Sequence, residues 1–428
     1  MIDFKGRNVV VLGLGASGLA SAKLLNNSGA NVFVSDKKES AKSKELSCQL
    51  SKLSIPFELG KHTKSVIENS DYLIISPGVP SDCEPVQWAK RKNIEVIGEI
   101  ELGYQFCPAP IIATTGTNGK TTVTTLIGKV LKAAGKNVFV LGNIGKPFTS
   151  CVDKIKDTDF VSLEVSSFQL ETIKEFRPKV SVILNFTPDH LDRYKDLGEY
   201  MEAKRRIFLN QKKEDFLILN YNDKNLRSLA AEAKARVIFF GEGKGEDKKS
   251  RFNPNQQAVL KVTEALKINR DVCLKVFDEF KGIEHRMEWV AAIDGVDFVN
   301  DSKGTNVEST MWGLENSTKP LILIAGGRDK GSDFSSISGL VAKKVKYLVL
   351  FGEAKDKIRK ALSGVVKTSE AKDIYEAVDM AFSKAGKGDC VLLSPMCASF
   401  DMFSNYEERG RIFKDIVKKM SSSCKLKS

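Results

Sequence analysis

Three times along its length the chain alternates short β-rich apolar runs with amphipathic stretches, a pattern that leaves little room for anything but parallel sheets covered by helices. The first series runs from "NVVVLG" through "NVFVSD" and "YLIISPG" to about Ile94. A second begins at "PIIATTG" and takes in "NVFVLGN", "FVSLEVSS", "VSVILNF" and "DFLILN". The third comprises "LILIAGG", "KYLVLFG" and "CVLLSP". An α/β protein of three domains is predicted, with boundaries at 1–95, 96–282 and 283–428. The length of 428 residues suits several ordinary cores better than one oversized core. The charged, glycine-rich stretch "GEGKGEDKKSRFNPN" (241–255) interrupts the second series and reads as an exposed loop.

Two glycine-rich turns stand at the ends of apolar strands. In "VVVLGLGASGLA" (9–20), Gly13, Gly15 and Gly18 fit G-x-G-x-x-G, and Asp36 closes the next strand at the spacing that sets an acid on a ribose hydroxyl. A plain tight turn competes with that reading. Only about 95 residues precede the second turn, so half a dinucleotide site, enough for one nucleotide of a substrate, is expected. The second turn, "ATTGTNGKTT" (113–122), is more specific. It follows a strand and opens a helix, so backbone N–H groups and the helix N-terminus face phosphate oxygens. Lys120 is placed for the β and γ phosphates of ATP, and the Thr121 hydroxyl for Mg²⁺.

Composition excludes several classes of function. The formal charge of +12, from 66 Lys+Arg against 54 Asp+Glu, is spread singly along helix-like segments, as on a solvated basic surface. No aromatic and basic stripe for nucleic acid is visible, and the tail "VKKMSSSCKLKS" reads as frayed. The eight cysteines are far apart, without Cys-x-x-Cys pairs, which points to free thiols in a reducing compartment. The chain opens without a basic-then-apolar leader, and no uncharged run reaches the ~18 residues of a membrane span. A cytoplasmic enzyme is therefore expected.

Eight segments occur together and in order: "TGTNGKTT", "GNIG" (142–145), "LEVSSFQLE" (163–171), "NFTPDHLDRY" (185–194), "AKRRIF" (203–208), "HR" (285–286), "NDSKGTN" (300–306) and "SPMCASFDMF" (394–403). In these the chain resembles the Mur ligases over nearly its whole length. The resemblance implies an N-terminal Rossmann-like UDP-binding domain, a central P-loop ATPase-like domain with a mostly parallel sheet, and a C-terminal Rossmann-like domain. Two turns would then serve two nucleotides, the uridine diphosphate end of a substrate and the ATP that reacts.

The activity so implied is ATP-dependent amide ligation through an acyl phosphate. D-glutamate is the acceptor and UDP-N-acetylmuramoyl-L-alanine the donor, for cytoplasmic peptidoglycan precursor synthesis by a monomer. By position, Gly116, Thr117, Asn118, Gly119, Lys120, Thr121, Thr122, Asn253, Arg286, Asp301 and Lys303 match ATP contacts. Ser17, Asp36, Gly78, Asn143 and His190 match contacts to the UDP-sugar, and Thr305, Lys330, Ser399, Phe400 and Tyr406 those to D-glutamate. Thr121 and Glu164 match ligands of a first Mg²⁺, His190 and Lys204 those of a second. Lys120, Glu164, His190 and Lys204 form the catalytic set. A lysine cation cannot bind a metal, and in the family this one is carbamylated by CO2.

Other readings stay open on the residues alone. A Mur ligase or folylpolyglutamate-synthase-like ligase with a different acceptor shares the loop. An NAD-dependent oxidoreductase would use Gly13 to Gly18 but leaves "TGTNGKTT" and Glu164 without a purpose. A nucleic-acid-stimulated ATPase would exploit the net charge.

Overall fold

The structure is a computed structural model that describes residues 2–190, 193–241 and 252–425. The chain divides into two compact units, one of Met1–Phe186 with Gly198–Phe280 and the other of Thr187–Leu197 with Lys281–Ser428.

The first unit holds two parallel sheets. Strands β1 (Asn8–Leu12), β2 (Asn31–Asp36), β3 (Phe57–Leu59), β4 (Tyr72–Ile75) and β5 (Glu95–Gly98) lie in the order β3-β2-β1-β4-β5. Strands β6 (Ile111–Thr115), β7 (Val138–Gly142), β8 (Phe160–Glu164), β9 (Val180–Ile183), β10 (Phe216–Asn220) and β11 (Arg236–Phe240) follow in the order β11-β10-β9-β6-β8-β7. Every residue of β6 is buried, as expected of a strand covered on both faces. The helix Lys120–Ala133 buries Val123, Leu126, Ile127, Val130 and Leu131, a stripe at helical spacing, against Ile112, Val180 and Val182.

The second unit has one six-stranded sheet. Strands β12 (Glu288–Ile293), β13 (Val296–Asn300), β14 (Leu321–Gly326), β15 (Val345–Phe351), β16 (Thr368–Glu370) and β17 (Cys390–Leu393) adopt the order β12-β13-β17-β14-β15-β16. Among the described strand pairs of this sheet, β12–β13 is antiparallel and the others are parallel. Along β14, Leu321, Leu323 and Ala325 enter one core while Ile322 and Ile324 enter the other, so the sheet is buried on both faces.

The C-terminal expectation is corrected: the helix Tyr406–Lys425 continues through most of the supposed frayed tail. Phe413, Ile416 and Val417, all buried against the sheet, anchor it. The seven described cysteines are free thiols, as expected. No described helix is long and apolar enough to cross a membrane. Of the predicted exposed loop at 241–255, residues 242–251 lie outside the described residues.

Candidate active site

Strand β6 sits at the middle of its sheet and ends in the turn 116–119, whose last residue caps the helix Lys120–Ala133. Gly119 has φ +84, and a Cβ there would lie 2.4 Å from Asn255 Oδ1, so only glycine fits. The turn is clamped from the next strand. Asn118 N–H donates to Asn185 Oδ1 at 2.8 Å, Asn185 Nδ2 donates to the Asn118 carbonyl at 3.0 Å, and Thr117 N–H donates to the Asn185 carbonyl at 3.1 Å. Asn185 and Asn255 were not singled out from the sequence, although "NFTPDHLDRY" carried the first of them.

Two lysines converge on the same loop carbonyl. Lys120 Nζ donates to Gly116 O at 2.9 Å and Thr117 O at 2.8 Å. Lys204 Nζ, from the helix Leu197–Arg205, also donates to Gly116 O at 2.9 Å and lies 4.4 Å from the centre of the Tyr200 ring. Lys204 is 1% exposed, so it is a buried lysine and not a solvated one on the helix surface. Arg205 and Arg206 turn elsewhere, the first to Glu202 and Glu232 and the second to the carbonyls of Leu170 and Ile173.

Glu164 closes β8 directly across from Thr114 of β6. Its Oε1 accepts a hydrogen bond from Asn143 Nδ2 at 2.9 Å. Its Oε2 is buried and has no hydrogen-bond partner among the described residues, and the same holds for the Thr114 and Thr115 hydroxyls. A buried carboxyl oxygen without a donor, on the strand next to the one that ends in the glycine-rich turn, fits a hard divalent cation that takes oxygen ligands. Mg²⁺ fits this donor set.

A cleft of about 1040 Å³ opens at the first glycine turn, and it brings together Ser17, Asp36, Gly78 and Asn143. Gly18 packs so closely that a Cβ would stand 1.9 Å from the Gly13 carbonyl oxygen. Asp36 pins the turn: its Oδ2 accepts from Leu14 N–H at 2.5 Å and its Oδ1 from Lys38 N–H at 2.7 Å. Asn253 likewise has a structural task. It caps the helix Pro254–Ala265, its Oδ1 accepting from Gln256 N–H at 3.1 Å, while Asn255 makes the approach to the P-loop.

His190 belongs to the second unit, with φ +58 and its N–H donating to Asp189 Oδ1 at 2.9 Å. Lys330 Nζ also donates to Asp189 Oδ1, at 2.6 Å, and Asn306 Nδ2 donates to Oδ2 at 3.0 Å. Burial alone would raise the Asp189 carboxyl, but the Lys330 ammonium, with His190 and Asn306, holds it well below the usual carboxylate range. Lys330 is the inward cation of "AGGRDKGSDF", because Arg328 pairs with Glu353 at an exposed site.

Asp301 is buried, accepting from Ser394 Oγ at 2.7 Å and Met287 N–H at 3.2 Å, and burial pushes it up to about 6 against the pull of Arg286. Arg286 lies over the Trp312 ring at 5.6 Å and donates to Ser309 Oγ. Lys303 Nζ donates to the Tyr406 hydroxyl at 2.6 Å, so residues expected at ATP and at the amino acid touch each other. Ser399 is buried and Phe400 is 64% exposed; Thr305 follows in the same loop as Lys303. Arg409, also missed from the sequence, is fully buried. It donates to Ser302 O at 2.8 Å and Cys397 O at 3.3 Å, tying together the segments that carry Lys303 and Ser399.

Comparison with known proteins accounts for this assembly. Family models match in chain order: the Mur ligase MurD-like N-terminal domain over residues 7–98, the Mur ligase middle domain over 114–276, and the Mur ligase glutamate ligase domain over 285–397. The UDP-N-acetylmuramoylalanine--D-glutamate ligase of Thermoanaerobacter pseudethanolicus is 43% identical, covering 97% of this chain and 99% of its own. That of Koribacter versatilis is 42% identical over 98% and 99%. Among solved structures, MurF ligase from Thermotoga maritima in complex with ADP aligns at TM-score 0.61 and 14% identity, over 97% of this chain and 96% of that one. UDP-N-acetylmuramate-alanine ligase MurC from the same organism gives 0.60 and 17%, over 97% and 100%. With the fold shared across these structures and the sequence shared end to end with the ligases, the chain belongs to the Mur ligase family.

Proposed function

We propose that this enzyme adds D-glutamate to UDP-N-acetylmuramoyl-L-alanine with hydrolysis of ATP to ADP and phosphate, in cytoplasmic peptidoglycan precursor synthesis. What carries the reading is identity of 43% along the full chain to a ligase of that name, not to one domain of it. The reading divides the work among residues 1–95 for the UDP-sugar, 96–282 for ATP and 283–428 for the amino acid.

A carboxylate oxygen of the donor attacks the γ-phosphorus, the bond from phosphorus to the bridging oxygen breaks, and ADP leaves. The D-glutamate nitrogen then attacks the acyl carbon, phosphate departs and the amine gives up a proton. Two anions must approach each other, so fixed positive charge and aligned donors do most of the catalysis. Lys120 and the N–H groups of Gly116, Gly119, Thr121 and Thr122 hold the phosphates, while Thr117 and Asn118, whose N–H groups donate to Asn185, shape the loop around them. Asn253, Arg286, Asp301 and Lys303 serve the rest of ATP. Ser17, Asp36, Gly78, Asn143 and His190 serve the UDP-sugar, and Thr305, Lys330, Ser399, Phe400 and Tyr406 serve D-glutamate.

Thr121 and Glu164 would hold one Mg²⁺, His190 and Lys204 another, and bound Mg²⁺ supplies charge neutralisation to the phosphates. For Lys204 this requires the carbamate: the neutral amine attacks CO2, an N–C bond forms, and one proton is lost. The ammonium becomes a carboxylate-like anion with oxygen to offer.

The test is phosphate release in the presence of ATP and UDP-N-acetylmuramoyl-L-alanine, with D-glutamate, L-alanine, L-lysine and meso-diaminopimelate as acceptors. Release that depends on D-glutamate is expected. Preference for another acceptor would move the enzyme to a sister reaction, and release without either substrate would overturn the ligase reading.

A further inference from the structure

His62 follows β3 and lines the cleft at the first glycine turn, together with Lys37, Lys38, Lys42 and Lys61. In a parallel sheet, ligands lie beyond the carboxyl ends of the strands. The sheet order β3-β2-β1 therefore lays out a direction, from the glycine turn after β1, where phosphate belongs, past Asp36 at the end of β2, to His62 after β3. His62 stands at the end away from the phosphates.

The protons on its ring can be assigned. Ser35 Oγ, fully buried, lies 2.8 Å from Glu58 Oε1 and 2.7 Å from His62 Nδ1. Glu58 also accepts from Thr63 N–H at 2.8 Å and from the Thr63 hydroxyl at 2.5 Å. Burial works against ionisation of Glu58, yet these Thr63 and Ser35 hydrogen bonds hold it below its usual value, so it is an acceptor only. The one Ser35 proton must then point to Glu58, and Ser35 Oγ can only accept from His62. Nδ1 carries the ring proton. Burial keeps the imidazole below its ordinary pKa, hence neutral at pH 7, and Nε2 presents a lone pair. Nε2 has no hydrogen-bond partner among the described residues.

We propose that His62 Nε2 reads the base of the bound nucleotide by accepting the imide N3–H of uracil, with Glu58 and Ser35 as positioning residues that fix the tautomer. The proposal rests on the reading of this cleft as the uridine nucleotide site. A neutral acceptor is of no use to a diphosphate, for which the neighbouring lysines suffice, but it complements a base that offers a donor. Cytosine offers a lone pair at N3 instead, so two acceptors would face each other.

Calorimetric titration of the full chain with UDP, CDP and N3-methyl-UDP tests this. The wild type should prefer UDP over both others by about ten- to a hundredfold, the cost of one unmade hydrogen bond in a closed site. His62→Phe should bind all three within about threefold of each other, and Glu58→Gln should lose part of the preference with the ring still present. Retained preference in His62→Phe, or an equal loss of affinity for all three, would overturn the assignment. So would wild-type protein that binds N3-methyl-UDP as well as UDP, whatever the variants do. Wild-type protein that binds none of the three removes the nucleotide reading of the cleft and the proposal with it, whereas intact UDP binding without discrimination removes only the proposal.

Discussion

Lys330 and Asp189 form an ion pair with nitrogen and oxygen 2.6 Å apart, and their side chains are only 13% and 8% exposed. A cation held this far from water by one carboxylate, which Asn306 and His190 also engage, is prepared to receive a second anion. If the side-chain carboxylate of D-glutamate is that anion, D-glutamine should be a poor acceptor. A charged hydrogen-bond partner replaced in a desolvated pocket costs about 1.5 to 3 kcal/mol, or about ten- to a hundredfold in kcat/KM. Lys330→Met should bring the two amino acids close to parity. Equal kcat/KM for both in the wild type would refute the grip.

Lys120 sits on the carbonyls of Gly116 and Thr117, at the loop proposed to receive the γ-phosphate. Lys120→Ala should lower turnover by roughly two to three orders of magnitude, because charge developing on the transferred phosphoryl loses its nearest fixed cation. Its melting temperature should stay near that of the wild type, since the lysine is only half-buried and the clamp by Asn185 remains. Near-normal phosphate release by the pure variant would remove Lys120 from the phosphate site.

What the sequence made legible was local. The P-loop is a run of glycine, lysine and threonine between strand and helix, and every part of that signal lies within ten residues. Asn185, 67 residues from Asn118, and the pair of Asp189 with Lys330, 141 residues apart, are products of tertiary folding that no periodicity encodes. The short β3 and β16, three residues each, fall below what alternation can reveal. The hairpin of β12 and β13 had a usable signal in its Asp294-Gly295 turn, which the search for parallel units passed over. Asp36 was read from spacing, which gives no sign that its carboxylate also accepts from the backbone N–H groups of Leu14 and Lys38.

Asp301 gives a pH signature. Its carboxyl is raised from 3.8 to about 6 by burial. A carboxyl raised on folding contributes stability below its unfolded value and loses it as pH climbs through the folded one. Between pH 4 and about 6 the wild type should therefore lose about 2 kcal/mol relative to Asp301→Asn, out of about 3 kcal/mol over the whole titration at 1.36 kcal/mol per unit. Asparagine keeps an acceptor for Met287 N–H and can donate to Ser394 Oγ, whose proton can turn to Thr310 Oγ1 at 2.8 Å. Denaturant titration of both proteins from pH 4 to 7 checks this; a stability difference that does not change with pH would mean that Asp301 is ionised throughout.

Lys204 stays 1% exposed with its ammonium on the Gly116 carbonyl and against the Tyr200 ring, in the same unit as the Glu164 oxygen that lacks a donor among the described residues. If it works as the carbamate, what a variant loses is an anionic oxygen ligand and not a positive charge. Lys204→Ala should be nearly inactive while still binding ATP through the loop at 116–122. Lys204→Arg should be no better, although it keeps the cation and much of the length, because a guanidinium has no acceptor for Mg²⁺. Formate or acetate, small enough to enter the space left by the alanine variant, should restore part of the activity by presenting a carboxylate there, and should do nothing for the arginine variant. ATP affinity measured alongside turnover separates a lost ligand from a collapsed loop, since the Asn185 clamp on Thr117 and Asn118 does not involve Lys204. An arginine variant with wild-type turnover, or an alanine variant that no small acid revives at any magnesium concentration, would return Lys204 to the role of a buried cation that ties the helix Leu197–Arg205 to the loop.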